Sequence, residues 1–158
     1  MVTGLSSAQQ FESKEYRLPQ SFYFIYGIGS PNLFHIGLKT QLFEQSSVEL
    51  TYGFLPVIQL FGLNIHSLSV SYNYYFDPSN EKTVMLSGLM SVTDYSANWS
   101  KQKSKVFCLA PMIGTESTSS SGRLFYYYRF GGMLSISTSI KPIYSICADV
   151  GGGIFLGR

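Results

Sequence analysis

A chain of 158 residues has room for one domain with a real core and not for two. Charged residues make up 13%, roughly half the share of an ordinary soluble domain, which is too few to cover a water-facing surface in the usual way. The net charge is only +2, and apart from Lys101, Lys103 and Lys105 the basic residues are scattered, so no stripe exists that nucleic acid could follow.

Aromatic residues reach 16%, yet no segment approaches the ~18 consecutive apolar residues of a membrane helix. Apolar and polar residues that alternate cancel in any window average, which points to strands. Residues 1–19 read as a polar lead-in: Ser6 and Ala8 are the small residues expected before a cleavage point at Gln9, so this stretch is taken as the tail of a signal peptide. The domain proper is then 20–158.

In chain order, Phe22, Phe24, Tyr26 and Ile28 alternate with Tyr23, Ile25 and Gly27. Ser30-Pro31-Asn32 is a turn signal. Phe34, Ile36, Leu38 and Leu42 then share one parity, with His35, Gly37, Lys39 and Gln41 on the other. After the turn at Glu44–Ser47, Val48, Leu50, Tyr52 and Phe54 alternate with Glu49, Thr51 and Gly53. In 62–76 the apolar parity changes between Ile65 and Leu68, which predicts a bulge or a preceding loop. Asp77-Pro78-Ser79-Asn80 is the strongest turn in the chain.

Val84, Leu86, Met90 and Val92 mark a fifth strand, followed by a polar stretch, Thr93 to Lys105, expected to be the longest loop. Trp99 in that loop is expected to anchor at a membrane interface. Residues 106–115 are apolar on both parities, and Pro111 predicts a bulge or an interruption. Glu116 to Gly122 is Ser/Thr-rich and is expected to be a connection. Leu124, Tyr126, Tyr128 and Phe130 alternate with Arg123, Phe125, Tyr127 and Arg129; Tyr144, Ile146, Ala148 and Val150 alternate with Cys147, Asp149 and Gly151.

The count is about eight strands, spanning 20–29, 33–43, 47–56, 62–76, 82–92, 105–115, 123–135 and 143–156. Several are near ten residues, the length of a transmembrane β-strand and longer than the usual soluble one. The polar parity is rich in small residues and glycines, which suits a narrow lumen; Gly88 is grouped with them.

The lead-in and the alternating aromatic segments together resemble the small outer-membrane β-barrel family of Gram-negative bacteria, over most of residues 20–156. The resemblance implies an all-β fold, a closed antiparallel up-and-down transmembrane barrel. It also implies a monomer standing in outer-membrane lipid, inserted by the barrel-assembly machinery, without cofactor, metal or catalytic residues. One departure is the ending Ile154-Phe155-Leu156-Gly157-Arg158, where such barrels commonly end on an aromatic residue.

The inward-facing charged candidates are His35, Lys39, Glu49, Arg123, Arg129 and Asp149, expected to form a structural polar network that plugs the lumen. The leading function is a structural, adhesive or narrow-channel role. A soluble lipocalin-like binder of an apolar ligand has the same strand count but turns its apolar parity inward. A lipid-modifying barrel enzyme would need a serine, a histidine and a carboxylate within reach. Only His35 and His66 are available, and His66 and Ser67 point to opposite faces of a strand. Gly151-Gly152-Gly153 lacks the spacing of a phosphate loop. Cys108 and Cys147 show no metal spacing; they are read as small hydrophobes, with pairing in an oxidising compartment left open.

Overall fold

The computed structural model describes residues 20–55, 62–97, 100–137 and 141–157, with the side chains of 100–102 left aside. Residues 1–19 and Trp99 lie outside the described residues. Eight strands follow one another: β1 (Phe22–Gly29), β2 (Leu33–Phe43), β3 (Ser46–Phe54), β4 (Leu63–Tyr75), β5 (Lys82–Ala97), β6 (Ser100–Thr118), β7 (Leu124–Ser137) and β8 (Ile143–Gly157). Each pairs antiparallel with the next, and β8 closes on β1. Closure removes the free edges, so every strand has a neighbour on both sides.

The stagger of the closed sheet can be followed along one row. Ile154 pairs with Phe24, then Leu38, Leu50, Val70, Met90, Leu109, Leu134 and finally Tyr144. The row leaves β8 at Ile154 and returns to it at Tyr144, ten residues away. With eight strands, that stagger inclines the strands by about 40° to the barrel axis.

Alternation decides which face each residue occupies. On β3, Leu50 is 50% exposed and Tyr52 46%, whereas Glu49 and Thr51 between them are each 1% exposed. The same contrast runs along β1, β2, β4, β5 and β7, where Phe24, Ile36, Val70, Leu86 and Tyr128 stand outside. The apolar parity therefore faces out and the polar parity faces in. A lipocalin-like binder needs the opposite, so the inside-out alternative fails on this sheet.

Several details differ from the sequence-based expectation. The stretch Thr93 to Lys105 is mostly strand: β5 and β6 run on as a paired ribbon, Asp94 with Lys105 and Ser96 with Lys103. Its outward residues turn polar there because the ribbon continues past the apolar band, and polar alternation reads as loop. The parity change in β4 involves no bulge, since its register to β3 and β5 is unbroken; Ile65 simply lies on the inward parity near the end of the strand. Irregularities fall elsewhere, at Phe22/Tyr23, Gln41/Phe43 and Ser96/Ala97.

Pro111 causes an interruption rather than a bulge. Pairing between β6 and β7 skips from Leu109–Leu134 to Met112–Gly131 with the register kept, as expected where a residue has no N–H to donate. Gly88 faces outward, opposite Pro111, because it has the parity of Leu86 and Met90; it does not line the lumen. The Asp77 turn forms as its composition predicts: Asp77 accepts from Ser79 Oγ at 2.7 Å and from the Asn80 amide.

Candidate functional site: the ion-paired lumen

The inward parity brings charged residues from separate strands into the centre of the barrel. Arg129 on β7 is the most central. Its Nη2 and Nε lie 2.7 and 2.9 Å from Asp149 Oδ2 on the neighbouring β8. The same Nη2 reaches across the lumen to Glu49 Oε2 on β3 at 3.0 Å. Nη1 donates to Asn73 Oδ1 at 3.1 Å. Asn73 in turn donates to Glu49 Oε1 (2.7 Å) and Ser47 Oγ (3.2 Å) and accepts from Ser87 at 2.7 Å. The guanidinium also lies over the Tyr127 ring, 4.8 Å from its centroid. A buried charge without such partners would be untenable.

A second pair closes the lumen from other strands. Lys39 on β2 is ion-paired with Glu116 on β6, both buried. The Tyr75 hydroxyl donates to Glu116 Oε2 at 3.1 Å and lies 2.9 Å from Ser47 Oγ. Tyr75 and Ser47 thereby join the two charged groups into one network. The Lys39 ammonium sits 4.0 Å from the centroid of the Phe125 ring, a favourable cation–π distance.

His35 lies beside the first group. Its Nδ1 donates to the Leu33 carbonyl (3.3 Å), which leaves Nε2 to accept the Tyr127 hydroxyl at 3.0 Å. Asp149 Oδ1 is 3.7 Å from that nitrogen. Around the charges pack two apolar clusters. One contains Tyr23, Ile25, Tyr75, Met85, Phe125 and Tyr127, with Phe155 against it; the aromatic displaced from the chain's end thus turns into the lumen. The other contains Leu89, Ala110, Met112 and Cys147, with Met133 against it. Both cysteines are buried and free.

Of the six charged residues expected inside, the structure brings together His35, Lys39, Glu49, Arg129 and Asp149 and leaves Arg123 out. Arg123 has the right parity but precedes the first paired residue of β7, Leu124, so it sits exposed in the turn. Parity has no meaning outside a paired strand. Sequence reasoning missed Glu116, placing it in a Ser/Thr-rich connection although it continues the parity of Met112 and Gly114. Asn73 and Tyr75 share the inward parity of Ser67, Ser69 and Ser71 but carry no charge to draw notice.

Both carboxylates of the Arg129 group are held by the guanidinium, so neither is presented to a substrate. His66, the other histidine, faces outward, where its Nδ1 is 2.6 Å from the Tyr52 hydroxyl. Among the described residues, no serine is hydrogen-bonded to either histidine, and no cluster of His, Cys, Asp and Glu could hold a metal ion.

No protein-family model and no curated protein sequence matches the chain. Among solved structures it is similar to the N-terminal β-barrel domain of Pseudomonas aeruginosa OprF. That likeness has a TM-score of 0.63 at 11% identity, covering 87% of this chain and 98% of the other. The chain has the small outer-membrane barrel fold. Acinetobacter baumannii CarO is a more distant match, with a TM-score of 0.43, 12% identity and coverage of 88% and 98%. At such identities the likeness is one of architecture, and the lumen must be interpreted from its own side chains.

Proposed function

We propose that the protein is an integral outer-membrane barrel with a structural role: a monomer in lipid, sealed by its own side chains, and neither an open pore nor an enzyme. The lipid assignment rests on the outward face, where Leu38, Leu50, Leu68, Met90, Tyr128 and Phe130 are all about half exposed. In water, an apolar face of that extent would drive association. The observation that carries the sealed reading is Arg129 bound at once to Asp149 on β8 and to Glu49 on β3. That bridge spans the lumen, and the Lys39–Glu116 pair adds a second crossing between β2 and β6. An eight-stranded barrel has an interior just wide enough for side chains to fill.

The experiment is single-channel recording. The purified protein, reconstituted into a planar bilayer, is expected to give no steady ionic current. A stable open conductance in the unmodified protein would replace the sealed reading with a narrow-channel one. Recovery of the protein as a detergent-free soluble monomer would remove the membrane assignment altogether.

A further inference from the structure

Two adjoining stretches of the lumen wall, which meet on β5, are built differently. On β5, β6 and β8, Leu89, Ala110, Met112 and Cys147 form a closed apolar cluster. On β3, β4 and β5, the wall consists of small hydroxyl side chains. Thr51 pairs with Ser69 and Ser69 with Ser91 along one row; Glu49 pairs with Ser71 in the next. Thr51, Ser71 and Ser91 therefore stand on three successive strands, with Ser71 diagonal to each of the other two and Ser69 between Thr51 and Ser91.

These three are 1–2% exposed, and the hydroxyl oxygen of each has no hydrogen-bond partner in the protein. Above them Asn32 folds in from the β1–β2 turn. Its backbone carbonyl accepts from Ser67 Oγ (3.4 Å) and its side-chain oxygen from Ser69. The side-chain nitrogen of Asn32 is buried and likewise without a partner. Below them lies Glu49, fixed by Asn73 and Arg129.

Four buried polar groups on one wall, none bonded within the protein, would together cost several kcal/mol if left dry. Small polar cavities are where proteins hold water, and each such water typically makes about three hydrogen bonds. We propose that the wall formed by Thr51, Ser71 and Ser91, capped by Asn32 and floored by Glu49, is a binding site for a small cluster of bound water. This water solvates the Glu49 end of the ion-paired layer, while the adjoining apolar cluster around Leu89 stays dry. The inference deepens the sealed-barrel reading and depends on it only for the chamber being closed.

The sign of a stability change tests it. Thr51→Val keeps the shape and removes the hydroxyl. If the hydroxyl binds water, the variant unfolds more readily, its unfolding equilibrium constant in urea-treated lipid vesicles rising by about tenfold. If the site is dry, deleting an unsatisfied hydroxyl leaves that constant unchanged or lowers it, and the proposal is overturned. Ser91→Ala is expected to behave as Thr51→Val does. Should a variant fail to assemble, water-to-protein magnetisation transfer in the unmodified protein in lipid nanodiscs provides a second measurement. Cross-peaks at the amides of Thr51, Ser71 and Ser91 with none at Ala110 are expected; their absence overturns the proposal. Neither result depends on conductance, so a failure here is distinct from a failure of the sealed reading.

Discussion

Glycines inside and outside the barrel play opposite parts. A Cβ built on Gly53 would lie 1.8 Å from the Asn32 carbonyl oxygen, and one on Gly37 would lie 2.1 Å from the Leu50 oxygen. There the sheet leaves no room, and glycine permits the close approach that a strongly coiled small barrel needs. At Gly88 and Gly132, on the outer face, an added Cβ would meet nothing within 4 Å. At Gly53 and Gly37 the lumen is thus limited by contact between groups, whereas at Gly88 and Gly132 the outer face has room to spare. Polarity follows the same division: inside, each charge answers to a specific partner, and outside, any apolar side chain serves.

The sharpest way to break this contrast is to remove the central cation. Arg129→Met leaves Glu49 and Asp149 buried together without their shared counter-charge. The expected loss is about 3–5 kcal/mol, the usual cost of breaking a buried ion pair from one side, measured by urea unfolding in lipid vesicles. Little loss of stability in that variant would mean that the lumen is not organised by specific pairs.

Outside, the corresponding change is Leu50→Arg, expected to cost roughly 2–4 kcal/mol near the bilayer midplane. The cost should shrink for the same change nearer either rim of the barrel. If Arg is tolerated at Leu50 but ruinous at the adjacent Thr51, the sheet is turned inside out relative to lipid. The glycines give the smallest effects and the clearest opposition in sign. Gly53→Ala is expected to destabilise by about 1–3 kcal/mol through overpacking. Gly132→Ala, with open space around it, should be neutral or stabilising by up to about 1 kcal/mol. Equal effects at the two positions would show that backbone preference, and not lumen contact, governs both.

The sequence made the fold legible because a barrel strand writes its two faces as alternate letters. Phe34 to Leu42 and Val48 to Phe54 show this directly, and their strands fall within two residues of the expected limits. Legibility failed where alternation lost its contrast. In the outer part of the β5–β6 ribbon the outward positions Asp94, Ser96, Lys103 and Lys105 are polar, so the apolar face that marks the other strands is missing and the pairing is invisible in composition. The candidate site was legible in the same measure. Lys39, Glu49, Arg129 and Asp149 stood out as charges on the inward parity of well-marked strands. Glu116 was hidden because Ser117, Thr118 and Ser119 beside it resemble a loop. Nothing in the sequence indicated which charge meets which, because pairing across a lumen depends on the stagger of the sheet.

That stagger also governs how the chain can come together. The pairing that closes the barrel joins residues at opposite ends of the described chain: Phe24 meets Ile154, about 130 positions away. Every other backbone pairing joins strands that are consecutive in the chain. One ladder therefore carries the largest loop-closure entropy of any pairing in the barrel. The glycine run of β8 lies at that junction, Gly151 facing Gly27 and Gly153 facing Ile25. The space those glycines leave is already filled: a Cβ on Gly151 would lie 2.6 Å from the Tyr127 hydroxyl and one on Gly153 2.4 Å from the Phe125 ring, so the seam closes over the aromatic cluster.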